Sequence, residues 1–218
     1  RVEVSRETHS SRARRRYYLV IGAALERKER EIMTETMDNG KAIAAQLRQI
    51  RQIRQYRPDP VPEDVLNELL EIARWTGSSR NTQPWHFVVI DDKAILQQIS
   101  QIRAPINWVA DAPLAIAIVL DGVSPITEAF DEGRITERLL IGARFFGLGG
   151  GTAWFGNEAQ QDEAKRILGI PVERTAHSVV TLGYPLTAKD HRPNPVQGGR
   201  KPLAEIVSFN RFGASRLR

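Results

Sequence analysis

Apolar residues recur along the chain with two periods, and the changes between those periods mark out its expected elements. Ile43, Leu47, Ile50 and Ile53 are spaced by four, three and three within "NGKAIAAQLRQIRQIRQ" (39–55), the period of a helix with one apolar face. Arg48, Arg51 and Arg54 then share another face of it. Pro58 and Pro60 end this helix near Tyr56. "VPEDVLNELLEIARWTG" predicts a second helix, with Pro62 at its first position, Glu63 and Asp64 at its positive end and Gly77 at its stop. Val65, Leu66, Leu69, Leu70 and Ala73 form its buried stripe. The apolar run "HFVVI" reads as a strand, Lys93 to Arg103 as a third helix, and "PLAIAIVL" (113–120) as a strong strand. Thr127 to Phe146 predicts the longest helix, with Ala129, Ile135, Leu139, Leu140 and Ala143 inward. The glycine-rich "GLGGGTAWFG" (147–156) follows, then a short helix over Asn157 to Leu168 and a strand "AHSVVTLGY" (176–184). A Pro- and Gly-rich loop over 185–200 leads to the closing "RKPLAEIVSFNRFG". The spacing is too irregular for a regular βαβ series and predicts an α+β fold. Residues 39–218 are expected to form one domain, with 1–38 a basic extension outside its core.

Composition narrows the chemistry. The 218 residues are 41% hydrophobic and 26% charged, the balance of a globular chain, and they include no cysteine. Disulfides, thiolate metal sites and cysteine nucleophiles are thereby excluded, and electron transfer would require a bound cofactor. The net charge of +5 is uneven: residues 1–32 hold nine Lys and Arg against five Asp and Glu, while the rest is nearly neutral. The basicity thus belongs to the tail and argues against nucleic acid as a partner of the folded body. The tail's apolar run, Tyr17 to Leu25, is nine residues long, far short of the roughly 20 that span a bilayer. Charged residues follow it where a signal peptide would have small ones.

Several stretches hold candidate chemistry. "GLGGGTAWFG" follows a helix, whereas a dinucleotide fingerprint needs a strand before its glycines. Its glycines instead let a backbone pass close to another surface, either a packed helix or a flat ligand. Arg51 and Arg54, with Arg200 and Lys201, read either as solvated charge or as an anion clamp. The four histidines share no metal-ligand spacing, so no metal is expected. Ser78 and Ser79 lack the glycine pattern of a hydrolase nucleophile. In "GSSRNTQPWHFVVI" (77–90), Ser78, Asn81 and Gln83 crowd polar groups against a strand that enters the core.

Four blocks in this order, "IRQIRQYRPDPVP", "ARWTGSSRNTQPWHFVVI", "FFGLGGGTAWFG" and "GRKPLAEIVSFNRFG", resemble the FMN-dependent nitroreductase family from about Ile50 to Gly213. The resemblance implies a mixed β-sheet flanked by helices, in an intertwined homodimer that exchanges C-terminal segments and holds FMN at its interface. It assigns cofactor binding to Arg51, Gln52, Arg54, Ser78, Asn81, Gln83, Gly151, Thr152, Ala153, Trp154 and Arg200. Arg51 and Arg200 would meet the phosphate, Arg54 the pyrimidine edge, and Ser78 and Asn81 would reach the flavin from the other subunit. Gly150 and Gly151 would let the 152–154 segment approach the ring. Ile50 and Gln52 stand where the family usually has Arg and Ser, and Gly77 where it has Pro. The implied activity is cytoplasmic, ping-pong reduction of a nitroaromatic, quinone or related small acceptor by NADH or NADPH, with the chemistry carried by FMN and no catalytic side chain. The alternative is a flavin-binding store or regulator with little turnover. Relatives that cleave flavin or remove iodine from iodotyrosine rank lower, since Ile102 to Ala112 is too short for a closing lid.

Overall fold

A computed structural model describes residue 28 and residues 32–186 and 200–214. The apolar run Tyr17–Leu25 and most of the 185–200 loop lie outside the described residues. The chain divides into two compact units, Arg1–Ile50 and Arg51–Arg218. In the first, helix α1 covers 32–49, and Lys41 pairs with Asp38 at 3.2 Å across one turn. The Ile50 N–H donates to Leu47 O at 3.2 Å and closes the last turn. The expected continuation to Gln55 does not occur, so Arg51 and Arg54 share no helix face with Arg48. The reason lies in the backbone accounting of the next segment. The Ile53 N–H donates to Gly150 O at 2.7 Å, the Arg57 N–H to Tyr184 O at 2.8 Å, and Gln55 O accepts from Leu186 N at 3.1 Å. A donor given to the sheet is not available to a helix, and burial of Ile53 and Tyr56 against Ala112 rewards the extended path.

The second unit is built on a four-stranded sheet, β1 His86–Ile90, β2 Leu114–Val119, β3 Gly149–Trp154 and β4 Ser178–Gly183, in the order β1-β2-β4-β3. Among the described residues the three strand pairings are antiparallel, and the one parallel element is a bridge between Gln52 and Gly150 beside β3. The two inner strands are buried at every position. This accounts for their unbroken apolar runs, since both faces are covered. Against one face pack α3 (Lys93–Gln101), the 3-10 stretch Ala104–Asp111 and α5 (Glu158–Leu168), through Leu96, Ile99, Ile106, Val109 and Ala164. Helix α4 (Pro125–Phe145) packs against the other face, with Leu140 under Gly150, and α2 (Glu63–Arg74) packs on α4. A four-residue helix, α6 (Leu203–Ile206), lies in the C-terminal stretch.

Local signals set the helix ends. Asp92 caps α3 by accepting from Ala94 N at 2.7 Å. Asn157 and Gln160 form a reciprocal capping box at the start of α5, and Gly169 ends it in the left-handed conformation. On α4, Ile135, Leu139, Leu140 and Ala143 are buried as expected, but Ala129 is exposed and Glu128 takes the inward place. Burial of Glu128 is made tolerable by its hydrogen bonds from Ser124 N at 2.9 Å and Thr175 Oγ1 at 2.6 Å. Among the described residues, no helix is long and apolar enough to cross a membrane.

Candidate functional site

Segment 51–56 and the glycine strand β3 are laced together, which brings two of the predicted blocks into one place. Beside the Ile53 to Gly150 bond, Gln52 Oε1 accepts from Thr152 N at 3.3 Å. A buried hydroxyl pair ties the underside: Tyr56 donates to Ile53 O at 2.7 Å and lies 2.6 Å from Thr181 Oγ1, which donates to Gly151 O at 3.0 Å. Burial pushes the Tyr56 hydroxyl well above the usual tyrosine range, so it keeps its proton. The close approach explains the glycines. A Cβ on Gly149 would meet Ile53, one on Gly150 would meet Leu140 and Thr181 O, and one on Gly151 would meet Ile53 O and the Trp108 ring. Of the two readings open for this run, packing accounts for these three positions. β3 itself escaped the sequence pattern because three glycines carry no strand preference.

Around this seam the exposed groups include guanidinium and indole side chains. Arg51, Gln52 and Arg54 are exposed, and the Arg54 guanidinium lies 5.6 Å from the centroid of the Trp108 ring. Trp154 is 56% exposed, with Arg103 stacked 5.2 Å from its centroid and donating to its carbonyl at 3.3 Å. Ala153, by contrast, is fully buried in the core, and Gly151 and Thr152 are strand backbone between the two environments. Trp108, Arg103 and Thr181 lie outside the four motif blocks. The one sequence signal for Trp108 is an indole within the short segment Ile102 to Ala112.

The polar loop before β1 lies elsewhere. Arg80, Asn81 and Gln83 all have left-handed backbone, φ 53°, 57° and 49°, a conformation that side chains other than glycine rarely adopt. Ser78 Oγ accepts from Gln83 N at 2.9 Å and Gln83 Nε2 donates to Asn81 O at 3.4 Å, holding the loop in shape, while Arg134 of α4 donates to Gly77 O at 3.1 Å. The loop also borders a cleft of about 360 Å³ lined by Asp121, Glu128 and Asp131. It feeds β1, and β1 and β3 are opposite edges of the sheet. Within one chain Ser78, Asn81 and Gln83 therefore precede the strand at one edge of the sheet, while the Arg51 to Arg54 block runs beside β3 at the other edge. Arg200 stands exposed at the head of the 200–214 stretch, which closes on itself through Gly213 N donating to Ser208 Oγ at 2.9 Å.

His177, whose carbonyl accepts from Phe155 N just past Trp154, pairs with Glu132 of α4. His177 Nδ1 is 2.8 Å from Glu132, which also accepts from Ser178 Oγ at 2.6 Å. The hydrogen bond to Glu132 raises the histidine above its ordinary value of 6.5. A raised folded-state value means that the pair's stabilisation is complete below the unfolded value and is lost as pH rises through the folded one. We expect Tm to fall as pH rises past 6.5, by about 2–4 °C for a pair worth about 1 kcal/mol in a chain of this size. His177→Gln should flatten that slope; thermal melts in which both proteins show the same slope would remove the pair from the account. Among the described residues, no group of three or more His, Cys, Asp or Glu is placed to hold a metal ion.

The sequence pattern of the nitroreductase family matches residues 47–119. The chain is 31% identical over 145 residues to an Archaeoglobus fulgidus protein with the provisional name NADH dehydrogenase/NAD(P)H nitroreductase, covering 62% of this chain and 80% of that one. An FMN-dependent nitroreductase from Clostridium difficile R20291 superposes with a TM-score of 0.67 at 24% identity, covering 77% of this chain and 98% of that one. NADPH:FMN oxidoreductase from Vibrio harveyi, in complex with NAD+, gives 0.67 at 19% identity, covering 81% and 79%. At these identities the structural likenesses establish the fold.

Proposed function

Because the chain belongs to the nitroreductase family, we propose that it is an FMN-dependent NAD(P)H oxidoreductase that works as a homodimer on a small acceptor such as a nitroaromatic or quinone. The observation that carries this reading is the seam of segment 51–56 with β3, where exposed guanidinium groups and an exposed indole flank a strand that glycines bring close. The donor set suits FMN, which brings a phosphate dianion and a flat heteroaromatic ring. Arg51 and Arg200 would hold the phosphate. Arg54 would face the pyrimidine edge, where a fixed positive charge favours the anionic reduced ring. Thr152 and Trp154 would lie beside the ring, with Gly151 and Ala153 forming the strand behind it. When bound, FMN supplies hydride transfer at N5, taking hydride from NADH or NADPH and passing it to the acceptor in alternating half-reactions.

The opposite-edge placement of Ser78, Asn81 and Gln83 supports their reaching the flavin of a second subunit. Exposed apolar side chains favour the same assembly: Ile126, Phe130 and Phe145 on α4, and Leu203, Ile206 and Phe212 in the C-terminal stretch. Gln52 bonds the β3 backbone, so the residue that replaces the family's serine contributes to the seam.

The test is purification followed by denaturation and turnover. A yellow protein that releases FMN and oxidises NADPH with a nitroaromatic or quinone is the expected result. A colourless protein that takes up no FMN overturns the proposal, and bound FMN without turnover favours a flavin store. Asn81→Gly, which keeps the left-handed backbone while removing the amide, should weaken FMN binding about five- to tenfold, the worth of about one hydrogen bond. Its Tm should stay within about 2 °C of the wild type. Unchanged affinity would take Asn81 out of the site.

A further inference from the structure

We propose that Trp108 is a positioning residue for Arg54, holding its guanidinium in place by stacking at the edge of the glycine strand. The inference rests on the flavin reading above and concerns how this chain fixes the charge that reading uses. The Arg54 guanidinium carbon lies 5.6 Å from the Trp108 ring centroid, within cation–π range. An exposed arginine on an extended segment otherwise samples many rotamers, so a charge meant for one position needs a second support. The ring that provides it is itself held on three sides. Its Nε1 donates to Pro105 O at 3.0 Å. Its edge fills the space opposite Gly151, where a Cβ would come within 3.0 Å of Trp108 Cη2. Its side chain packs on the cluster of Ile53, Tyr56 and Ala112. Trp108 therefore touches the glycine strand, the segment that carries Arg54, and Arg54 itself. It is the side chain through which the position of β3 is passed to the guanidinium.

The consequence is measurable on the flavin without any turnover. Trp108→Leu keeps an apolar side chain on the cluster but removes the aromatic face. It should weaken FMN binding about three- to tenfold, in line with the loss of one cation–π contact and the ordering it provides. It should also move the bound flavin's midpoint potential negative, because a loosened charge stabilises the reduced anion less. The decisive comparison is a double-mutant cycle on FMN affinity and midpoint potential, with Arg54→Ala, Trp108→Leu and the pair. If Trp108 acts through Arg54, the double variant matches Arg54→Ala alone. Additive effects overturn the proposal, as does a Trp108→Leu protein with wild-type affinity and potential. Trp108→Phe guards against a variant that fails to fold: it keeps a ring under the guanidinium and should stay within about twofold of the wild type. A Phe variant as impaired as the Leu variant would mean that the aromatic face is not the support. If the wild type takes up no FMN, the proposed function falls and this inference with it. A wild type that binds FMN while the cycle is additive sinks this inference alone.

Discussion

Gly151→Ala is expected to abolish stable FMN uptake and to lower Tm by about 6–12 °C, the equivalent of about 3 kcal/mol in a chain of this size. The added Cβ would lie 2.3 Å from the Ile53 carbonyl oxygen and 3.0 Å from Trp108 Cη2. A side chain so crowded can turn aside, whereas a carbonyl cannot move without its backbone. The clash is relieved only if segment 51–56 lifts from β3 or β3 bends away from β4. Lifting breaks the Ile53 N–H to Gly150 O bond and strains the Tyr56 to Thr181 link, and it moves Arg51, Gln52 and Arg54 together. Bending costs the Gly151 to Thr181 pairing in the sheet. Gly40→Ala is the control, since nothing lies within 4 Å of its Cβ position in α1. It should be neutral or stabilising by up to about 1 kcal/mol, the helix preference of alanine over glycine. Thermal melts with flavin titration decide the matter, and a Gly151→Ala protein that keeps wild-type Tm and affinity would show that the seam does not depend on that approach.

Phe155→Ala should cost about 3–5 kcal/mol in urea unfolding, a large share of the 5–15 kcal/mol that usually holds a domain. Phe155 is fully buried, among the largest side chains in the core, and packs in the cluster between the sheet and α3 and α5. Its backbone N–H donates to His177 O at 2.9 Å, which fixes the chain just past Trp154. Its removal leaves a cavity that the neighbouring Ala153, Ala164 and Ala176 are too small to fill. A loss under about 1 kcal/mol would mean that α5 collapses into the space, contrary to the close packing expected of such a core.

Much of this architecture was legible in one dimension. β1, β2 and β4 are marked by apolar runs, and α2 and α4 by inward apolar residues at helical spacing, with Pro62 and Gly77 at or near the ends of α2. Two errors share a cause. The expected helix through Gln55 and the unexpected strand over 149–154 are partners, each accounted for by the other's backbone. Ile50 and Ile53 carry a helical spacing that the nearer signals support. Yet Ile53 is drawn out of the helix by a glycine strand about 100 residues away that has no local strand preference of its own. Pattern reading weighs neighbours in sequence, and neither half of this pair is persuaded by its neighbours.

The candidate site divides in the same manner. Order and spacing of the four motif blocks nominate Arg51, Arg54, Ser78, Asn81 and the 151–154 segment as cofactor contacts, because such chemistry is carried by residue identity. Which of them meet depends on the bridge that sets Gln52 beside Gly150 and on the sheet order β1-β2-β4-β3, which puts the strand fed by the 78–83 loop on the far edge. The supporting residues, Trp108 beneath Arg54 and Thr181 beneath Tyr56, are common residues in ordinary elements and acquire their roles from contact. Sequence by itself determined the fold class, the family resemblance and the charged and polar groups available to a cofactor. Only the tertiary structure decided where those groups stand and what holds them, because hydrogen bonds between distant backbones and the space left by absent Cβ atoms exist only once the chain has folded.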